Sequence, residues 1–591
     1  MKIQLLFPPH WRPTQPYLSL PVLASHLRKN GFDVALRDIN VEFFDTILSP
    51  EYLQASLESV RENLSALSSA PNLSDQQVRR LKHLFLLETH AEQVIGKIRE
   101  AKRITRSSEA FNHQQFRYAS QIIADGLELA TAKNSEVILS FDLYRDKWDP
   151  TVSADVYQAI QAPDSFFARF FRQYTLASII NTKPDLVGIS INSIAQLIPG
   201  LILAKLIRQQ CNCHISIGGT HFSYIFNSSS TFEPLFDHID SLVLFEGEIP
   251  LTTLAGRIAN NENFHDIDNI ITANNLHHQR PRTRSQVDLS TSDDPNFESL
   301  PLDLYFTPSI IYPLQGSRGC YWKRCKFCDY TYESPHYRQK SPSQVHHEVL
   351  SLPAVQEPRF VHLVDSAPTV NGLLELAYMI RDEETEVYWA TMIRFEKQFE
   401  DPAILEKLYH AGCRVLEFGL ESGSQEVLDM IDKGAALTTV KTILENCRRS
   451  GIFTVVFLIV GMPGETSANI EKTIEIIQTE LGDLIDAISP NRFALKRHSL
   501  FGVELQQNSP VDLHQPGKDW CDELILPDTL TLSEEEMRGY LKEINRLKKT
   551  KPAEQLLRGT LWDVSYLLQY VSRHPDALAD AEPTVATAEQ H

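Results

Sequence analysis

The stretch Gly316-Ser317-Arg318-Gly319-Cys320-Tyr321-Trp322-Lys323-Arg324-Cys325-Lys326-Phe327-Cys328 decides how the rest of the chain is read. Cys320, Cys325 and Cys328 fall within nine residues, whereas the other five of the eight cysteines are scattered through 591. Eight thiols are too few for a disulfide scaffold in so long a chain, so the cluster needs a local reason, and metal ligation supplies one. Three thiolates on one loop can hold three irons of a four-iron, four-sulfur (4Fe-4S) cluster and leave the fourth iron open to a substrate or cofactor. A zinc site is the alternative; it needs a fourth ligand, for which Asp329 and His336 are near in sequence. Cys211, Cys213, Cys413, Cys447 and Cys521 read as packing thiols.

Working outward, the loop follows the first of six strand candidates, at residues 314–317, 360–364, 387–392, 415–419, 454–460 and 488–493, with helical runs between them. Gly412 and Gly451 stand where helices end before strands. Repeated strand-helix units of this kind predict an α/β fold with a partial (β/α)6 barrel of the TIM type over 306–500, and active-site loops at the carboxyl ends of its strands. A C-terminal helical region is expected over 501–575, and the small, polar residues 576–591 are expected to be disordered.

Upstream, residues 3–7 form a short apolar strand, followed by a proline-rich turn, an amphipathic helix at 18–29 stopped by Gly31, and a second strand at 34–36. The alternation then breaks for a helical insertion at about 50–175. Leu53, Leu57, Val60, Leu64 and Leu67 recur at intervals of four and three, and Ser74 with Gln77 makes a capping box. The insertion reads as a packing or dimerisation accessory. Strands at 186–190, 214–217 and 242–245, with a helix near 196–210, complete a Rossmann-like doubly wound domain over 1–273. A linker is expected over 274–305, where His277, His278, Arg280, Arg282 and Arg284 interrupt any apolar periodicity.

Apolar residues make up 42% of the chain and charged residues 22%, yet the longest apolar runs fall far short of the about 18 residues that span a bilayer. The opening residues carry an apolar run too short for a signal peptide and cut by Pro8 and Pro9, so a cytoplasmic chain with no membrane partner is expected. Lysine and arginine number 56 against 76 aspartates and glutamates, a net charge of −20 that repels a phosphate backbone, so nucleic acid is not an expected partner.

With these residues in view, the cysteine loop resembles that of the radical S-adenosylmethionine (SAM) superfamily, which usually reads CxxxCxxC with an aromatic residue before the last cysteine. Phe327 fills that place. The spacing here, CxxxxCxxC, is one residue longer and looks like a variant among cobalamin-type members. Phe418-Gly419-Leu420-Glu421-Ser422-Gly423-Ser424, with Val427 through Gly434, resembles the family's fourth-strand motif, which implies that Glu421 and Ser422 approach the amino group and ribose of SAM. Gly461-Met462-Pro463-Gly464-Glu465-Thr466 is similar to the Gly-x-Pro-Gly-Glu-Thr signature, in which Gly461 and Gly464 permit close backbone approach; on its own it reads equally as a strand-to-helix turn capped by Thr466. Arg394, just past the third strand, could pair with the SAM carboxylate or form an ordinary surface ion pair.

In the first domain, the strand ends carry Ser190-Ile191-Asn192, Gly218-Gly219-Thr220-His221 and Glu246-Gly247-Glu248. Ser190 and the Gly218-Gly219 pair, followed by Glu246 and Gly247, resemble elements of the cobalamin-binding domains of cobalamin-dependent radical SAM enzymes, the class containing the anaerobic Mg-protoporphyrin ester cyclase and radical SAM C-methyltransferases. His10 lacks the aspartate and glycine of the methionine-synthase pattern, so a histidine lower ligand to cobalt is not expected. The resemblance covers about residues 1–500. It implies a 4Fe-4S cluster, SAM and cobalamin as cofactors, a reductant such as flavodoxin or ferredoxin, and a small-molecule substrate. The implied reaction is reductive cleavage of SAM to a 5′-deoxyadenosyl radical, followed by methylation of an unactivated carbon. Cyclisation or rearrangement with cobalamin as electron carrier is a second reading, and a non-catalytic cobalamin- or zinc-binding regulator a third.

Overall fold

The computed structural model describes all residues except 135, 227–229, 278–283, 510–511, 558–562 and 576–591; the tail expected to be disordered and His278, Arg280 and Arg282 thus lie outside the described residues. The chain divides into two compact units, the first comprising Met1–Ile310 with Gln515–Asp522, the second Ile311–His514 with the described residues from Glu523 on.

In the first unit six strands form one sheet: β1 Lys2–Phe7, β2 Asp33–Asp38, β3 Leu186–Ser190, β4 His214–Gly218, β5 Ser241–Val243 and β6 Ile270–Ile271. Their order is β2-β1-β3-β4-β5-β6, parallel throughout except for β6. Every residue of β3 is buried, as expected of a parallel strand covered on both faces. The order reverses between β1 and β3, and such switch points open a crevice at the carboxyl ends of the strands.

Helices Pro50–Ser68, Asp75–Thr105 and His113–Thr131 make up most of the insertion. Ser49 caps the first, with proline at its first turn, and Ser74 and Gln77 form the expected reciprocal box at the second. Leu53, Leu57, Val60 and Leu64 are buried in a core continuous with that of the sheet. The residues expected as linker do not hang free. Tyr305 donates its hydroxyl proton to Asp38 Oδ2 at 2.6 Å, and His26 Nδ1 lies 3.1 Å from Asp293 Oδ2. Burial pushes the Asp38 carboxyl up to about 6, which the Tyr305 bond only partly offsets.

The second unit holds β7 Ile311–Leu314, β8 Arg359–Leu363, β9 Val387–Ile393, β10 Cys413–Glu421, β11 Phe453–Val460 and β12 Ala487–Arg492, paired in chain order and all parallel. Five helices alternate with them, Pro342–Leu350, Val370–Arg381, Pro402–His410, Leu437–Ser450 and Ser467–Thr479. The first strand lies three residues before its expected place. Pro313 argues against a strand, yet β7 pairs only with β8, and an edge strand tolerates a proline.

Side chains alternate between the two faces of such a sheet. Val361, Leu363, Trp389, Leu416, Phe418, Leu420, Val456 and Leu458 are almost inaccessible; Leu363 shares a small cavity with Val345, Leu373 and Leu376 of the helix layer, which marks this as the outer face. On the opposite, inner face His362, Met392, Phe457 and Ile459 are only half-buried. Helix Val564–Arg573 packs against β8, β9 and β10 and buries Tyr566, Leu567, Leu568 and Val571. Among the described residues no helix is long and apolar enough to cross a membrane.

Candidate functional site

The cysteine loop leaves the carboxyl end of β7 through the short strand Ser317–Arg318, which pairs with Arg338–Gln339. Its backbone makes few regular bonds, so side chains and a neighbouring segment hold it. Lys326 N donates to Ile431 O at 2.9 Å, Trp322 Nε1 to Asp432 O at 2.8 Å, and Arg324 Nε to Asp432 Oδ2 at 2.9 Å. The loop is thereby pinned to residues 431–434, the end of the fourth-strand motif. Gly434 makes this possible: its φ of +70° suits glycine, and any Cβ there would collide with the Trp322 ring.

Arg394, which follows β9, clamps the same loop. Its guanidinium lies over the Trp322 ring at 4.5 Å, donates from Nη2 to Lys433 O at 2.6 Å and from Nε to Glu396 Oε1 at 3.2 Å, and brings Nη1 to 3.8 Å from Cys325 Sγ. Tyr321 donates to the same Glu396 oxygen at 2.6 Å. Arg394 is thus buried, paired with Glu396 and bonded to the Lys433 carbonyl.

All three cluster cysteines are half-buried and free of disulfides. Burial pushes the Cys328 thiol up to about 12, and the neighbouring Cys325 and Cys320 push in the same direction. Burial also raises Cys325, while the positive charges of Lys433 and Arg394 pull it back down. Among the described residues no group of three or more His, Cys, Asp or Glu side chains is placed to share one metal ion, and Asp329 and His336 are not gathered with the thiols. Cys328 thus feels the charge of the other two sulfurs, and three thiolates on one loop can hold three irons of a four-iron cluster. The cationic frame of Lys433 and Arg394 favours the thiolate form that such a cluster requires.

Glu421 ends β10 just past a register shift and holds a φ of +69°, a strained value for a side chain of its size. Its Oε1 accepts from Lys433 Nζ at 2.6 Å, and both side chains are buried. Lys433 also lies 5.9 Å from the centroid of the Phe327 ring. Ser422 is buried against helix Ser467–Thr479. Its hydroxyl meets Thr473 Oγ1 at 3.1 Å and accepts from Ser424 N at 3.2 Å.

After β11, Glu465 turns back to accept from Gly461 N at 2.6 Å and Met462 N at 3.1 Å, while Gly464 N donates to Leu530 O at 3.0 Å. Burial pushes the Glu465 carboxyl up to about 7 against the pull of those two amides. Thr466 caps the next helix in a reciprocal box with Asn469. Glu465 as the latch of this turn is a role that sequence reasoning missed, although a glutamate placed four residues after Gly461 is the available signal.

In the first unit, Ser190 ends β3 beside the switch point, bonded to Ser19 Oγ at 3.0 Å and Asn192 Nδ2 at 2.9 Å. Gly218 ends β4, where an added Cβ would stand 3.3 Å from Val243 Cβ. Gly219 has φ +115°, and a Cβ there would collide with the Ile191 carbonyl. Glu246 Oε2 accepts from Val287 N at 2.9 Å, and Gly247 opens helix Glu248–Ala259 against Leu23. The strand ends are thus lined with small residues. His10 Nε2 lies 2.7 Å from Ser140 O, its ring packs on Phe44, and burial lowers its pKa.

Residues 314–477 match the Radical SAM superfamily. An uncharacterized methyltransferase of Pyrococcus horikoshii is 24% identical over 308 residues, 51% of this chain and 65% of its own length. The bacteriochlorophyllide d C-8(2)-methyltransferase of Chlorobaculum tepidum is 26% identical over 259 residues, 40% of this chain and 51% of its own. The chain thus spans between half and two thirds of the curated relatives it matches. In fold it is similar to the radical SAM methyltransferase TsrM of Kitasatospora setae, solved with cobalamin and a 4Fe-4S cluster, with a TM-score of 0.55, 14% identity and coverage of 98% of this chain and 99% of that one.

Proposed function

We propose that this chain, whose residues 314–477 form a radical SAM domain, is a cobalamin-dependent radical SAM enzyme that methylates an unactivated carbon of a small-molecule substrate. The observation that carries the reading is the three-cysteine loop at the carboxyl end of β7, clamped by Arg394 and Trp322 on residues 431–434. When bound, the cofactors supply the hard chemistry, an electron from the cluster to cleave SAM and a methyl group carried on cobalamin.

The chain's own residues bind and orient. Cys320, Cys325 and Cys328 hold three irons, and Phe327 covers the approach beside Lys433. Arg394 fixes the loop and favours the Cys325 thiolate. Glu421, with Oε1 taken up by Lys433, offers its second oxygen to the amino group of SAM. Ser422 sets the turn after β10 through Thr473, and its contact to the ribose comes through that turn. Gly461 and Gly464 keep backbone close to the bound cofactor, with Glu465 holding the turn. In the first unit, Ser190, Gly218, Gly219, Glu246 and Gly247 form the cobalamin side, where the small residues of the strand ends leave space for its nucleotide tail. A methyltransferase name on both curated relatives and the cobalamin-bound fold of TsrM support methyl transfer. A small flavodoxin or ferredoxin is the proposed reductant.

Alanine at Cys320, Cys325 or Cys328 tests the assignment: iron content should fall to background in the reconstituted protein while cobalamin binding persists. Gly218→Val should do the reverse. Iron retained by all three cysteine variants would overturn the cluster site.

A further inference from the structure

Glu396 lies two residues past Arg394 on the loop that follows β9, and none of the roles above uses it. Its Oε1 accepts from Arg394 Nε at 3.2 Å and from the Tyr321 hydroxyl at 2.6 Å. The arginine side chain is 9% exposed and the glutamate 25%, so water screens their attraction only in part. The other two nitrogens of the guanidinium face the cysteine loop and its support: Nη2 donates to the Lys433 carbonyl, and Nη1 stands 3.8 Å from Cys325 Sγ. Lys433 is the other cation that acts on Cys325, and it too carries a carboxylate of its own, with Glu421 Oε1 at 2.6 Å. Each positive charge beside this sulfur therefore comes with a negative one.

The reduction potential of an iron-sulfur cluster depends on the net charge around it and on hydrogen bonds to its sulfurs. Nearby positive charge and such hydrogen bonds favour the reduced state, which is the more negative one, and so raise the potential. An arginine that fixes the loop thus makes the cluster a weaker reductant, whereas the reductive cleavage proposed above calls for a strong one. A carboxylate on Nε offsets that charge while leaving Nη1 and Nη2 in place on the loop. Tyr321, next to Cys320 in the chain, holds the same carboxylate oxygen from the loop itself.

We infer that Glu396 sets the reduction potential of the cluster: by offsetting the charge of Arg394 beside Cys325, it keeps the cluster strongly reducing while the arginine holds the loop. This rests on the reading of Cys320, Cys325 and Cys328 as cluster ligands. Glu396 is a positioning residue that acts through Arg394.

The test is an anaerobic redox titration of the reconstituted holoenzyme without SAM, with the reduced cluster followed by electron paramagnetic resonance and iron per chain measured on each sample. Glu396→Gln keeps an oxygen for Arg394 and Tyr321 but removes the negative charge. It should raise the ratio of reduced to oxidised cluster about tenfold at a fixed potential, a shift of about 59 mV for one electron. Arg394→Met removes the cation, leaves the carboxylate and should move the midpoint the other way. Tyr321→Phe keeps both charges and should shift it much less than either. A loop that is merely loosened would not move the two charge variants in opposite directions. If Arg394→Met holds no iron, the Glu396→Gln midpoint decides alone. A midpoint in Glu396→Gln that is unchanged or lower, or loss of iron from that variant, overturns the inference. Wild-type protein that forms no reducible four-iron cluster removes the cofactor reading and the inference with it; a normal wild-type cluster with an unshifted variant removes the inference alone.

Discussion

Arg394 and Cys325 are 69 residues apart in the chain, yet Nη1 of one stands 3.8 Å from Sγ of the other. The same guanidinium bonds the Lys433 carbonyl, so one side chain ties the third, fourth and first strands' loops together. Arg394→Met should leave the barrel folded but speed the loss of iron to a chelator several-fold. Arg394→Lys should fall between, because an ammonium lacks the planar fork that serves several acceptors at once. Unchanged chelation rates in both would remove the clamp from the account.

Lys433 and Glu421 form a buried ion pair at 2.6 Å. Removing one partner strands the other charge, so Lys433→Met should lower unfolding stability by about 3 kcal/mol. Adding Glu421→Gln to that variant should recover much of the loss, since the buried charge is then gone. Denaturant titration of the wild type, the two single variants and the double variant measures the coupling.

At Gly434 a methyl group would strike the Trp322 ring. Gly434→Ala should therefore displace the cysteine loop and reduce iron occupancy, and Trp322→Leu in the same chain should restore part of it by making room. Iron per chain after identical reconstitution is the readout.

Burial raises Glu465 from its ordinary value of 4.5 to about 7. The folded protein then binds this proton more tightly than the unfolded chain, so its contribution to stability is greatest below pH 4.5 and is lost as pH rises to about 7, levelling off above. The loss is at most about 3 kcal/mol. An amide in place of the carboxyl still accepts from Gly461 and Met462 but does not titrate, so Glu465→Gln should flatten the stability profile between pH 4.5 and about 7. An identical slope in wild type and variant would place the titration elsewhere.

Much of the architecture was legible because its causes are local. The β3 run Leu186–Ser190 is all buried and reads directly as a parallel strand, and the boxes at Ser74 and Thr466 follow from hydroxyl and amide spacing alone. The cysteine loop announced itself by density. Pro313 made the first barrel strand read three residues late, because sequence alone does not tell an edge strand, which tolerates a proline, from a central one. The two-residue strand Ile270–Ile271, which closes the first sheet antiparallel, is too short to carry a period. The pairings that shape the site were not legible either. Arg394 with Cys325 and Lys433 with Glu421 depend on which strand tips the barrel brings together, and no spacing rule in the chain encodes that.

The measurement that tests the central claim most directly is made on anaerobically reconstituted wild-type protein: iron per chain, then 5′-deoxyadenosine after adding SAM and dithionite. About four irons and reductant-dependent release of the nucleoside are expected. Bound zinc in place of iron, or four irons with no cleavage of SAM, would contradict the account.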